Sequence, residues 1–462
     1  MIGLDPAFRI GEEGELKLLR HDVLDELLEE EYTEGRSQFL DFVSAYGTGK
    51  NDKKIEELIL KVYEYSRSYP DAQEWLHECV KGYELENLDE LEESPYVDLL
   101  KMYVELYLED ARARLYQGIE ICREDSGPYM YEDALEDDLR MVERVLGAET
   151  YQGLSEYMGD ISWMKLPPNR DKTVSSDKAD QVKLIRDEVK ELMKELNQQY
   201  FYAEPEIILK DIKGCQPMVR ELTSLVEKFA ERFEEKKRTK NMIDFSAMEQ
   251  YAMKILTEKT EGGFCPTAAA EEYQEQFLEI MIDEYQDSNL VQETILAAVS
   301  GESIGENNRF MVGDVKQSIY RFRQAMPELF NEKYQRYPAE EGQKERKIVL
   351  SKNFRSRKNI LDGVNFIFRQ IMQKEFGDIA YDDAAALYAG MTFPDCAEPH
   401  GGENEILLIA TAEAEDSELS EELKELDRRQ VEATAIAARI RALMESGYQV
   451  VDKKTGAYRP LR

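Results

Sequence analysis

Two adjacent carboxylates, Asp283 and Glu284, close the apolar run at residues 278–282. In such a pair one carboxylate can hold Mg²⁺, which takes hard oxygen ligands in octahedral geometry, while its neighbour polarises an attacking water. Thirty-one residues beyond Asp283 a second apolar run ends in Gly313-Asp314 and continues as Val-Lys-Gln-Ser-Ile-Tyr-Arg-Phe-Arg. A Gln beside a metal-bound triphosphate, here Gln317, can sense the γ-phosphate. Tyr320 and Phe322, interleaved with Lys316, Arg321 and Arg323, offer stacking faces and charge to single-stranded nucleic acid. Another 39 residues past Asp314, Asn353-Phe354-Arg355-Ser356-Arg357 follows a third apolar run. An Arg there can stabilise charge on a phosphoryl group in transfer, and Phe354 can stack on a purine. Plainer roles fit the same residues: a polar turn after a buried strand for Asp283-Glu284, and an amphipathic loop with inward-packed aromatics for 312–323.

The elements that must position these groups are short apolar runs suited to buried strands: Leu278 to Asp283, Arg309 to Asp314, Arg346 to Ser351 and Glu405 to Ala410. Helical spacing lies between and after them, at Asn289 to Val299, Pro327 to Tyr337, Lys358 to Lys374 and Leu419 to Glu445. Alternating strands and helices predict an α/β fold with a parallel sheet, and ligands in such sheets sit at the carboxyl ends of the strands. The polar clusters follow the strands directly. Upstream the pattern is different. From Glu13 to about Gly159 apolar residues recur at three and four, broken by YGTGKND, SYPD and SGPY. After a Pro-containing loop at Leu166 to Asn169, a long helix over 178–201 and a second near Met218 to Lys237 complete about 235 all-helical residues.

With 462 residues there is room for several domains, at about 100 to 200 residues each. Five scattered cysteines (Cys79, Cys122, Cys215, Cys265, Cys396) and three histidines (His21, His77, His400) point away from disulfide frameworks, zinc or iron-sulfur sites and Ser-His-Asp chemistry. Catalysis is left to carboxylates, Lys and Arg. Without a signal peptide or a membrane-spanning run, a cytoplasmic protein is expected. The net charge of −37 argues at first against nucleic acid, but its uneven distribution removes that objection. Residues 1–160 carry −25 of it, whereas 309–358 hold 13 basic against 6 acidic side chains, a local +7. A basic surface can therefore exist on this acidic chain.

In order, IDEYQD (Ile282 to Asp287), VGDVKQSIYRFR (Val312 to Arg323) and LSKNFRSR (Leu350 to Arg357) resemble motifs II, III and IV of superfamily 1 DNA helicases of the UvrD/Rep type. QAMPELF (Gln324 to Phe330), the tail from Val450 to Arg462, the opening LDPAFRI and SYPDAQEWL (Ser68 to Leu76) most resemble the AddA family, the helicase subunits of bacterial AddAB helicase-nucleases. The resemblance implies two RecA-like P-loop NTPase motor domains with ATP between them and single-stranded DNA across them. It implies a large all-helical insertion at 1–235, the second half of the first motor domain at 236–345, and a truncated start of the second at 346–462. By the same analogy Asp283 binds Mg²⁺, Glu284 activates water, Gln317 meets the γ-phosphate, Arg355 is an arginine finger and Phe354 stacks on adenine. Asp287 joins the nucleotide-facing set, and Phe322, Tyr320, Arg323 and Arg321 the DNA-facing set. Ile243-Asp244-Phe245 is similar to the Asp-Phe segment before motif II, and equally suits a helix cap with a core Phe. The implied setting is break repair and recombination, with 3′ to 5′ movement on single-stranded DNA, double-stranded DNA as a further substrate, and a heterodimer formed with an AddB-like nuclease subunit.

A motor also needs G-x-x-x-x-G-K-[ST] to hold phosphates. Gly47-Thr48-Gly49-Lys50 imitates its end, but Ser44 replaces the first Gly and Asn51 the Ser/Thr. Motifs V and VI and a nuclease domain are not found either. The chain is thus expected to be an internal piece of a longer protein and to hydrolyse ATP negligibly alone. The alternatives are a UvrD/Rep-type helicase without nuclease, and a non-catalytic scaffold that binds DNA or a partner.

Overall fold

A computed structural model describes residues 6–47, 51–374, 379–393, 404–409, 428–452 and 454–462. The chain divides into two compact units, Met1–Arg336 and Tyr337–Arg462.

The first unit is built mainly on ten helices: α1 (Glu13–Glu34), α2 (Ser37–Tyr46), α3 (Lys53–Ser66), α4 (Ala72–Lys81), α5 (Leu88–Glu92), α6 (Pro95–Arg123), α7 (Glu132–Leu146), α8 (Tyr151–Gly159), α9 (Ser176–Tyr200) and α10 (Pro205–Thr239). Their starts are chemically marked. Asp71, Ser94, Thr150 and Ser175 each accept a backbone N–H of the first turn, and Pro95 sits where a missing N–H costs nothing. Two apolar cores result. One joins α1–α4 to the later part of α10 through Leu24, Leu27, Phe39, Phe42, Ile59 and Phe229. The other lies within α5–α9 around Leu115, Leu135, Val142 and Val189. In this second core the buried Arg186 and Asp138 form a two-pronged pair at 2.5 and 3.0 Å, and Arg186 also donates to the Met164 carbonyl at 2.6 Å. Burial still pushes the Asp138 carboxyl above its usual range despite Arg186.

The helix expected from Met218 begins instead at Pro205 and continues through Pro217. Pro205 occupies the helix N-terminus, where its fixed φ is favourable. The interior Pro217 is tolerated where Gln216 and Arg220 both donate to Glu84 at 3.0 Å, tying this stretch to the α4–α5 connection. An N-terminal strand β1 (Arg9–Ile10), which no apolar run announces, pairs in parallel with β2 (Met242–Ile243).

After β2 come α11 (Phe245–Leu256), an antiparallel hairpin of β3 (Thr257–Thr260) and β4 (Gly263–Pro266), and α12 (Ala268–Gln276). Then β5 (Ile280–Ile282), α13 (Leu290–Val299), β6 (Arg309–Met311) and α14 (Pro327–Arg336) follow, matching four of the expected elements. β5 and β6 pair in parallel, as a strand-helix-strand crossover requires.

The second unit holds β7 (Lys352–Asn353) paired in parallel with β8 (Tyr388–Ala389), and α15 (Lys358–Ile371). It also holds α16 (Arg428–Glu445) and an antiparallel hairpin of β9 (Gln449–Val451) and β10 (Tyr458–Pro460). Two expected strands are corrected here. Among the described residues neither Arg346 to Ser351 nor Glu405 to Ile409 carries a strand, and Leu350 and Leu408 are 84% and 89% exposed. Apolarity marks a strand only where a ladder partner takes up its backbone groups, and the partner found in this unit, β8, engages the polar residues Lys352 and Asn353. The described sheets are five two-stranded pairs, three of them parallel, in a mostly helical chain. The start of the expected helix at Leu419, Ala410, Lys453, Cys396, His400 and Thr48 to Lys50 lie outside the described residues.

Candidate nucleotide and nucleic-acid site

Parallel pairing sets Ile282 beside Met311, so the residues that follow, Asp283-Glu284 and Val312-Gly313-Asp314, leave the sheet at the same edge. The ladder extends into the turn: Val312 N–H donates to the Ile282 carbonyl at 2.8 Å, and Tyr285 N–H to the Val312 carbonyl at 2.9 Å. Underneath, Tyr285 is buried and donates its hydroxyl to Glu293 on α13 at 2.5 Å. Glu293 also receives Arg309 at 3.1 Å and Lys333 of α14 at 2.8 Å. Burial alone would lift the Glu293 carboxyl, but those two cations hold it below the usual range. Arg309 further meets Glu302, so α13, β6 and α14 are tied by one ionic cluster, to which the Tyr285 hydroxyl joins the turn after β5. Motif spacing does not reveal this cluster, because its members are far apart in the chain.

Above the cluster the chemistry-bearing groups are displayed. Asp283 and Glu284 are exposed. Glu284 adopts the left-handed conformation (φ 51°), uncommon without Gly, and its N–H donates to the Asp283 carboxylate at 3.0 Å. Asp287 lies in the same turn, where burial and then the charge of Glu284 raise its carboxyl, and its Oδ1 is buried with no hydrogen-bond partner among the described residues. Hard carboxylate oxygens at Asp283, with an unsatisfied one at Asp287, are the donor chemistry Mg²⁺ takes.

Asp314 accepts from Gln317 Nε2 at 3.0 Å and from Lys316 Nζ at 2.8 Å. Burial pushes its carboxyl up, but Lys316 and Gln317 outweigh this and hold it low. Gln286, which residue type and spacing do not single out although it stands inside IDEYQD, is 1% exposed. Its amide Nε2 donates to Glu284 at 2.7 Å and its Oε1 accepts the Asp314 N–H at 3.0 Å.

Beyond Gln317 the loop turns its aromatics outward. Phe322 is 71% exposed and Tyr320 is exposed too, with ring centroids 5.9 Å apart. The Arg323 guanidinium lies 5.2 Å from the Tyr320 ring and 5.6 Å from that of Phe322. The inward-packed alternative therefore fails, since two rings and a cation face solvent together. Arg321 is spent on Glu328. The loop is tied back by Met326 N–H to the Ser288 carbonyl at 2.9 Å.

Within the second unit, Asn353 Oδ1 accepts the N–H groups of Arg355 and Ser356 at 2.8 and 2.9 Å, a turn that leaves Phe354 and Arg355 exposed. Gly390 lets the Phe354 ring approach: a Cβ there would stand 2.6 Å from it. The Asp244 segment does form a cap, Asp244 accepting the Ala247 N–H at 2.7 Å. Its Phe245, however, is 71% exposed and belongs to no core. No described helix is long and apolar enough to cross a membrane.

Comparison with known proteins identifies the family. Residues 8–338 match the family model of the UvrD/REP helicase N-terminal domain. The whole chain is 40% identical, over 487 aligned residues, to the A subunit of the ATP-dependent helicase/nuclease of Lachnoclostridium phytofermentans, covering 35% of that protein. It is 38% identical over 466 residues to the proteins of the same name from Bacillus cereus and Bacillus anthracis, again along its full length and over 37% of theirs. The chain thus spans little more than a third of the curated relatives it matches.

Proposed function

The chain belongs to the UvrD/REP helicase family, and we propose that it forms part of the motor of an ATP-dependent helicase-nuclease that moves on DNA during break repair and recombination. The observation that carries this reading is the shared edge of β5 and β6, where Asp283, Glu284, Asp314 and Gln317 stand together. In the proposed site Asp283, with Asp287 nearby, holds Mg²⁺, which supplies charge neutralisation to the triphosphate. Glu284 takes a proton from the attacking water and Gln317 contacts the γ-phosphate; within the second unit, Arg355 and Phe354 are proposed separately as groups able to contact phosphate and adenine. Tyr320, Phe322 and Arg323 engage bases and phosphates of single-stranded DNA. The domain reading follows: 1–235 as helical insertion, 236–345 as part of a RecA-like first motor domain, 346–462 as part of a second. A partner of AddB type and 3′ to 5′ movement belong to the same proposal.

Since no G-x-x-x-x-G-K-[ST] occurs in the 462 residues, the chain by itself is proposed to turn over ATP negligibly. The test is ATP hydrolysis and strand separation by the full-length protein in complex with its partner, with and without single-stranded DNA. DNA-stimulated hydrolysis coupled to unwinding is expected; hydrolysis indifferent to DNA would contradict the reading.

A further inference from the structure

Gln286 occupies a position that a polar turn does not need to fill. Its side chain is almost fully buried, yet each end of the amide is used: Nε2 donates to the Glu284 carboxylate at 2.7 Å, and Oε1 accepts the backbone N–H of Asp314 at 3.0 Å. A buried amide with both ends satisfied has one favourable orientation, because reversing it would set like groups against each other at both contacts. Gly313 makes room for it, since a Cβ at that position would stand 2.5 Å from Gln286 Oε1. The backbone that Gln286 reads belongs to Asp314, the residue whose carboxylate holds Gln317 at 3.0 Å, and three residues after Gln317 the exposed Tyr320–Arg323 segment begins.

We infer that Gln286 is a positioning residue that makes the placement of the Glu284 carboxylate follow the Gly313–Asp314 backbone, and so couples the water-activating group to the loop carrying Gln317 and the DNA-facing aromatics. This rests on the proposed role of Glu284. A shift of the Asp314 N–H is transmitted to Glu284 through a single rigid amide, without any new contact between the two segments. With the amide gone, Glu284 keeps its charge and the backbone bond of the next residue, Tyr285, to Val312, but its carboxylate loses its side-chain link to the loop.

The experiment uses the full-length protein in complex with its partner and compares Gln286→Met, which keeps length but removes both amide groups, with Gly313→Ala, which keeps the amide but displaces its oxygen. Steady-state ATP hydrolysis is measured with and without single-stranded DNA, alongside affinity for a fluorescent ATP analogue. For both variants kcat is expected to fall about 10–100-fold, as for other outer contacts that orient a reacting group, with KM and nucleotide affinity within about twofold. Stimulation by DNA should shrink toward none. On a Glu284→Gln background, Gln286→Met should cost nothing further.

An unchanged kcat and DNA stimulation in Gln286→Met would overturn the inference. So would a loss of kcat and nucleotide affinity together, the signature of a damaged site. If Gln286→Met does not fold, Gly313→Ala alone decides by the same split. Full turnover in Glu284→Gln itself would instead remove the underlying reading, which keeps the two failures distinct.

Discussion

Lys237, near the end of α10, places its ammonium 3.1 Å from the Asp244 carboxylate that caps α11, and both side chains are buried. Glu234 lies 3.0 Å from the same ammonium and accepts the Tyr251 hydroxyl. The ion cluster thus joins the last turns of the helical region to the segment leading into β5.

Removing one partner of this pair leaves a buried charge uncompensated, so Lys237→Met is expected to lower stability by about 3–5 kcal/mol in urea denaturation. The pH dependence has a definite sign. Burial raises the Asp244 and Glu234 carboxyls, but Lys237 reverses this and leaves both below their ordinary 3.8 and 4.5. Burial lowers Lys237, but Tyr63, Asp244 and Glu234 carry it above 10.5. The cluster's contribution is therefore complete between those ordinary values. It is lost as pH falls through the depressed carboxylate values, or rises through the elevated lysine value. Lys237→Met should flatten the acid limb of the stability profile; an unchanged limb would show that other carboxylates govern it.

Phe322→Ala should weaken single-stranded DNA binding by about 1–3 kcal/mol, the usual worth of one base-aromatic stack. DNA-stimulated hydrolysis should fall while the DNA-independent rate stays the same. Filter binding or fluorescence anisotropy at fixed salt reads the first effect, and unaltered affinity removes Phe322 from the stacking surface.

Arg355→Ala in the full-length protein should cut kcat by about 10³-fold or more if it stabilises transferring phosphoryl charge. ATP affinity should change much less. A rise in KM at constant kcat would assign Arg355 to ground-state binding only.

Which parts of this were legible in sequence follows from how local the determining interactions are. β5 and β6 could be read because each is an apolar run ended by an acidic turn, and helices such as α13, with Asn289 and Gln292 forming a reciprocal cap, carry their own start signals. The runs at 346–351 and 405–410 carry the same apolar signal, but pairing is a property of two segments, and β7 forms instead at the polar Lys352–Asn353. β1 was invisible for the same reason: its two residues acquire meaning only beside Met242 and Ile243. In the candidate site, Asp283, Glu284 and Gln317 were readable from residue type and spacing. Gln286 was not, because its role depends on an Asp314 N–H 28 residues away. The exposure of Phe245 likewise reflects which face of α11 finds a partner, which spacing over three residues does not determine.

The most direct test of the proposed chemistry is ATP turnover by the full-length protein carrying Glu284→Gln, measured with Mg²⁺ and saturating single-stranded DNA beside nucleotide binding. Loss of the water-activating carboxylate should reduce hydrolysis at least about 10²-fold, with nucleotide affinity retained. Turnover at the unmodified rate would contradict the assignment of Glu284, and with it the chemical role given to the edge of β5 and β6.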